Sequence, residues 1–143
     1  MATVLVSGAN KGKDAQALRI GYGFVQKYLA RPNTTVIGTV RDPSAASFKA
    51  LYDIPKALGS SIILVKVEST SETDAIEAVK SLSTFGIDHL DLVLRNAGVV
   101  KLAAFVPVAD LKIPDLMEHA DVNAAGVVLL FQTVLPVLES LHS

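Results

Sequence analysis

Glycine and positive charge, set at the ends of short apolar runs, are the features of this chain best suited to chemistry. Gly8 and Gly12 stand four apart directly behind the run Thr3 to Ser7, while Gly21 and Gly23 follow a charged, helix-favouring stretch, Lys13 to Arg19. Glycine lets backbone amides approach an anion closely, and a helix N-terminus behind such a turn adds partial positive charge, so this arrangement can hold a phosphate. A tight turn with close helix packing would use the same glycines. Arg41 closes a second apolar run, Thr35 to Val40. Its guanidinium can make two parallel charged hydrogen bonds to a phosphate, or pair with the neighbouring Asp42.

Other chemistries are excluded by residue types. The chain has no cysteine, so disulfides, thiolate nucleophiles and cysteine-based metal sites are ruled out. His89, His119 and His142 lack metal-ligand spacing. The 13 basic side chains against 14 acidic ones leave little net field to attract nucleic acid or an anionic membrane. No basic leader or long apolar core precedes a small-residue cleavage site, so the expected location is cytoplasmic. The most apolar window, Ala124 to Phe131, meets Gln132 well short of the roughly 18 residues a spanning helix needs, and is expected to be a buried helix.

The positioning elements follow from periodicity. Four β-branched or aliphatic runs, Thr3 to Ser7, Thr35 to Val40, Ser61 to Val67 and Leu90 to Leu94, read as strands. Between the first two, Leu18, Tyr22, Val25 and Leu29 form a helical stripe that ends near Pro32. Ser71 to Asp74 resembles a capping box ahead of a helix whose stripe is Ala75, Ile76, Val79 and Leu82. A further helix follows Asp42-Pro43 through Phe48 and Leu51, and a long one covers most of Pro114 to Leu141. Alternation of this kind predicts an α/β fold, a doubly wound parallel sheet with helices on both faces, in one domain over residues 1–143.

In this frame the chain resembles the short-chain dehydrogenase/reductase family, whose turn is usually Thr-Gly-X-X-X-Gly-Ile-Gly. Here Ser7-Gly8-Ala9-Asn10-Lys11-Gly12 is followed by seven extra residues, KDAQALR, and then Ile20-Gly21. The family's Asn-Asn-Ala-Gly signature after the fourth strand matches Asn96-Ala97-Gly98, with Arg95 where a small or amide residue is commoner. The stretch 121–138, DVNAAGVVLLFQTVLPVL, looks like the family's next helix, with Asn123 at its characteristic asparagine. The wording of ARPNTTVIGTVRDP and KVESTSETDA looks most like fungal ketoreductases.

The resemblance implies a partial Rossmann-like sheet, order 3-2-1-4, binding a nicotinamide dinucleotide through Ser7, Gly8, Asn10, Lys11, Gly12, Ile20 and Gly21. A positive group after the second strand suits the 2′-phosphate of NADP, so Arg41, with Lys11 as a second charge, makes NADP the expected cofactor over NAD. Glu68 and Ser69 occupy the place where the family meets the adenine. Asn96, Ala97 and Gly98 would let the backbone pass beneath the nucleotide ribose, because small side chains leave room. The heptad Lys13 to Arg19 either extends the following helix by about 10 Å, keeping the stripe in phase within about 20°, or bulges out as a loop. Its residue types favour the extended helix, which would displace Ile20-Gly21 and impair cofactor binding.

The resemblance also implies a proton-donating tyrosine with a lysine four residues later, and a serine before them, on elements following the Asn123 helix. The three tyrosines are Tyr22, Tyr28 and Tyr52. Tyr52 and Lys56 have the bare spacing, but Pro55 and their position between the second and third strands argue against that role. Only Asn123 matches the family's catalytic set, so the chain is expected to be a truncated, inactive nucleotide-binding part of a carbonyl reductase, or a non-enzymatic NADP(H)-binding or interaction module. An open fourth-strand edge and a helix over 115–141 that is apolar on more than one face predict self-association.

Overall fold

The computed structural model describes residues 1–10 and 20–139, and the predicted extension or bulge at Lys13 to Arg19, with Leu18, Lys11 and Gly12, lies outside the described residues. Strands β1 (Ala2–Ser7), β2 (Thr34–Val40), β3 (Ser61–Lys66) and β4 (Leu92–Arg95) make one parallel sheet in the order β3-β2-β1-β4. Helices α1 (Ile20–Leu29), α2 (Ala46–Tyr52) and α3 (Asp74–Leu82) occupy the successive connections. The predicted α/β order is therefore present, with β4 at one edge of the four-stranded sheet.

The pleat sorts each strand into two cores. Val4 and Val6 of β1, with Val36 and Val40 of β2, face Val25 and Leu29 of α1 and Leu51 of α2. Leu5 and Ile37 point the other way, toward Ala75 and Leu82 of α3 and Leu130 and Val134 of the last helix. That two-sided burial is why β1 and β2 read as unbroken apolar runs rather than alternating ones. The outer strands are covered less: β3 and β4 are mostly half-buried, because each has only one neighbouring strand in the described sheet.

Two helical expectations also need correction. Ile76 was placed in the α3 stripe but is 42% exposed; Ala75, Ala78, Val79 and Leu82 meet the core instead. The long last helix is divided into α4 (Ile113–Ala120), a π-helical turn at Asp121–Ala125 and α5 (Gly126–Glu139). Its most apolar part is not buried all round. Leu130 and Val134 are covered, whereas Val128 and Phe131 are more than half exposed. The continuous run Ile113–Leu138 is long and apolar enough, by length and composition, to cross a membrane, with 22% of its most apolar window buried.

Parallel pairing brings the strands' C-terminal ends to one edge. Asp91 fixes the entry to β4, its Oδ2 accepting from the Thr3 amide at 2.6 Å while its own amide donates to the Thr3 carbonyl at 2.9 Å. Register then runs from Val4 opposite Leu92 to Ser7 opposite Arg95. On the other side Val40 pairs with Lys66, and the Val67 amide donates to the Val40 carbonyl at 2.9 Å. The residues that follow each strand, Gly8, Arg41, Val67 to Ser69 and Asn96 to Gly98, are gathered by this registry into one crevice.

Candidate nucleotide cradle

The centre of the crevice is built on Ser7. Its hydroxyl is buried and accepts from two backbone amides, those of Asn96 at 2.9 Å and Ala97 at 3.0 Å, so one oxygen stitches the end of β1 to the end of β4. Gly8 turns there with φ +64°, a left-handed conformation that costs an L side chain roughly 1–2 kcal/mol. Space forbids a side chain as well. A Cβ on Gly8 would lie 2.8 Å from the Ala97 Cα. The turn is closed on its other side by Thr39, whose hydroxyl accepts from the Gly8 amide at 3.2 Å and whose carbonyl accepts from the Ala9 amide at 2.9 Å.

Gly21, in the first turn of α1, sits against this same tip. A Cβ there would collide with the Gly8 carbonyl and lie 2.6 Å from the Asn96 Nδ2. The Asn96 side chain already donates to the Gly8 carbonyl at 3.3 Å. The predicted displacement of Ile20-Gly21 from the cradle is therefore not what the described residues adopt: Gly21 is buried against the β1 tip, and Ile20 beside it is half exposed. Asn10 is turned toward α2, its Nδ2 donating to the Ser47 hydroxyl at 3.1 Å.

At the β2 and β3 ends, Arg41 and Glu68 face each other, with Arg41 Nε 4.0 Å from Glu68 Oε2. Asp42, the alternative partner, turns back on its own loop and accepts from the Ser44 amide at 2.9 Å and hydroxyl at 2.6 Å. Glu68 is held at its backbone by Asp74, whose Oδ2 accepts from the Glu68 amide at 3.0 Å. Asp74 Oδ1 accepts from the Ser71 hydroxyl at 2.8 Å, and the Ser71 oxygen accepts from the Asp74 amide at 3.1 Å. Only half of the expected capping box is present: the Ser71 amide donates to the Glu68 carbonyl at 3.0 Å rather than to Asp74, and α3 starts at Asp74 with Thr73 at its N-cap. The Glu68 amide first, then Ser71 and Lys66, hold the Asp74 carboxyl below its ordinary value. Ser69 lines the hollow beneath, with Ser7, Thr39, Glu68, Arg95 and Ala97.

Asn123 occupies the π-helical turn. Its Oδ1 accepts from the Val99 amide at 2.8 Å and its Nδ2 donates to the Val99 carbonyl at 2.9 Å. A side-chain amide thus imitates a strand partner and pins the loop after β4, with Gly98 packed beside it. Arg95 supports the same turn by donating to the Val122 carbonyl, and its burial lowers the guanidinium pKa from its ordinary value. Further along the loop, the Lys101 amide donates to His119 Nε2 at 3.1 Å, while His119 Nδ1 donates to the Asp115 carbonyl at 2.7 Å. Glu118 and Asp115 raise the Lys101 ammonium pKa above its usual value.

The family model of the short chain dehydrogenases matches residues 2–143. The chain belongs to that family. As a short-chain dehydrogenase it is 42% identical over 142 residues to a short chain dehydrogenase of Penicillium aethiopicum, covering 99% of this chain and 52% of that protein. It is 43% identical over 138 residues to the norsolorinic acid ketoreductase of Dothistroma septosporum, covering 96% and 48%. The structure of NADPH-bound carbonyl reductase from chicken fatty liver superposes with a TM-score of 0.77 at 28% identity, covering 96% of this chain and 48% of that one. This short-chain dehydrogenase chain spans about half the length of the curated relatives it matches.

The Tyr52 and Lys56 pair is accounted for structurally. Lys56 Nζ donates to the carbonyls of Tyr52 at 2.6 Å and Ile54 at 3.0 Å, closing the end of α2, while the Tyr52 ring stands edge-on to Phe48. Sequence reasoning missed Thr39 and the support given by Arg95. A threonine inside a strand carries no signal beyond β propensity. Arg95 did carry one, being a charge at the tip of an otherwise apolar run.

Proposed function

We propose that these residues form the nucleotide-binding part of an NADP(H)-dependent carbonyl or ketone reductase. The observation that carries this reading is the combination at one sheet edge of the tight Ser7-Gly8 turn, the first turn of α1 packed onto it, and Arg41 at the neighbouring strand tip. The residues fit the group: the glycines let the β1 tip, the first turn of α1 and the loop after β4 pack closely, which sets the helix N-terminus beside the strand tips where a pyrophosphate would lie, and Arg41 at the neighbouring tip is the cation suited to a 2′-phosphate. When bound, the nicotinamide supplies the hydride. The chain's own part is to hold the dinucleotide and, through Asn123 on Val99, to fix the loop after β4.

We further propose that the 143 residues do not turn over a carbonyl by themselves. Tyr22 and Tyr28 lie on α1 and Tyr52 at the end of α2, and the lysine spaced from Tyr52 is bound to backbone carbonyls. This favours, as a second reading, a non-enzymatic NADP(H)-binding or interaction module, with self-association through the exposed apolar side of α4 and α5. Residence in the cytoplasm, without nucleic-acid or membrane partners, completes the proposal. Calorimetric titration with NADPH tests the nucleotide site, and absorbance at the NADPH band with a panel of ketones tests turnover. Binding without carbonyl-dependent oxidation is expected; oxidation by this chain alone overturns the inactivity, and absence of binding overturns the nucleotide reading.

A further inference from the structure

We infer that Arg95 is a positioning residue, which holds the turn carrying Asn123 out of α-helical register and so sets that side chain on the loop after β4. Arg95 stands where the family resemblance leads one to expect a small or amide residue. Between α4 and α5 the Gly126 amide, which an α-helix would give to the Val122 carbonyl, donates to the Asp121 carbonyl instead. The Val122 carbonyl must then find another donor, and Val122 is buried, where an unpaired carbonyl is costly. Arg95 Nη2 supplies that donor from the tip of β4. Among the described residues no carboxylate pairs with Arg95, so the Val122 bond is what anchors this half-buried guanidinium. A charged donor also makes such a bond stronger than a neutral one.

The surroundings are shaped to this contact. Gly126 is buried, and a Cβ on it would lie 3.1 Å from Arg95 Nη2 and 2.8 Å from the Ser69 carbonyl oxygen, so its lack of a side chain admits the guanidinium to the helix. On the loop side, a Cβ on Gly98 would lie 3.1 Å from Asn123 Oδ1 and 3.9 Å from Arg95 Nη1. The arginine head thus sits between the turn and the loop that Asn123 ties together through both backbone groups of Val99. Without the donor, the Val122 carbonyl is satisfied most simply by taking back the Gly126 amide. That closes the π-helical turn to an α-helical one, rotates α4 against α5 and draws Asn123 off Val99. The consequence for function rests on the nucleotide reading: Asn123 and the Asn96 to Gly98 loop lie at one end of the crevice, and Arg95 sets their spacing.

The experiment follows amide hydrogen exchange by NMR in the 143-residue chain and in R95K, R95M, R95L, N123A and R95M/N123A. R95M and R95L keep an apolar stem without the donor, whereas R95K keeps a charged donor. Both donor-free variants should speed exchange at the Val99 amide by about tenfold or more and shift the Asn123 side-chain amide signals, although Arg95 makes no bond to Val99. R95K should stay within about threefold of the parent. In the N123A background R95M should add nothing at Val99, since the effect passes through Asn123. A merely loosened fold would instead speed the core amides of β1 and β2 by the same factor and leave the Asn123 signals in place. That result, parent-like exchange at Val99 in both R95M and R95L, or R95K behaving like R95M, overturns the inference. Loss of the fold in both donor-free variants also overturns it, since neither core includes Arg95. The nucleotide reading is decided separately by calorimetry of the parent with NADPH, whose failure to bind overturns that reading and leaves the exchange result to decide the role of Arg95.

Discussion

Gly21 and Gly23 lie two residues apart on α1, yet the structure assigns them opposite responses to the same substitution. A Cβ at Gly21 would lie 3.0 Å from the Gly8 carbonyl carbon and 2.6 Å from Asn96 Nδ2, whereas one at Gly23 meets nothing within 4 Å. Carbon atoms pack at about 3.5 Å or more, so Gly21→Ala must push α1 away from the β1 tip by about 0.5–1 Å. Overpacking of this kind costs about 1–3 kcal/mol, and the gain from replacing a helical glycine by alanine returns at most about 1 kcal/mol. The net loss is about 1–2 kcal/mol, with the Asn96 to Gly8 hydrogen bond strained as well. At Gly23 only the helix gain remains, so Gly23→Ala should stabilise by about 0.5–1 kcal/mol. Urea unfolding followed by circular dichroism checks the pair: the midpoint should fall for the first variant and rise for the second, with the slope unchanged. If both midpoints rise, α1 is not seated on Gly8 and the account of the cradle fails.

Ser7→Ala removes the shared acceptor of the Asn96 and Ala97 amides and should cost about 1–3 kcal/mol in the same assay. Faster hydrogen exchange at those two amides would locate the loss. Asp74 is held below its ordinary pKa, so its contribution is complete above the unfolded-state value near 3.8 and disappears as pH falls through the lower folded value. Asp74→Asn should accordingly cost about 1–2 kcal/mol at neutral pH, with the gap from the parent closing below about pH 4 in melts taken across pH. A gap independent of pH would contradict the charged role. Asn123→Ala frees both backbone groups of Val99 and, because the site is exposed, should cost only about 1 kcal/mol while abolishing exchange protection of the Val99 amide.

What the sequence made legible was whatever depends on period and local chemistry. A parallel α/β sheet followed from four apolar runs and the handedness of their crossovers, its order 3-2-1-4 from the family resemblance, and the Ser71 hydroxyl's bond to the Asp74 amide from residue type alone. The cradle residues were legible because a tight turn after a strand demands glycine in a fixed place. What could not be read was set by tertiary neighbours. Ile76 falls in phase with its stripe yet faces out, since only contact decides which side of a broad stripe is covered. The π-helical turn has no propensity signature; it arises where Arg95 and Val99 come to the helix from β4 and its loop, residues distant in sequence. The Arg41 and Glu68 pairing likewise depends on register between β2 and β3 and was invisible as two separate charges.

The central claim, that the tips of the four strands form a nucleotide cradle, is tested most directly by amide NMR of the labelled chain during NADPH titration. Saturable shifts should concentrate at Gly8, Ala9, Gly21, Asn96 and Ala97, with the Arg41 side chain moving in the same concentration range. Saturable shifts elsewhere, or none up to millimolar nucleotide, would contradict it.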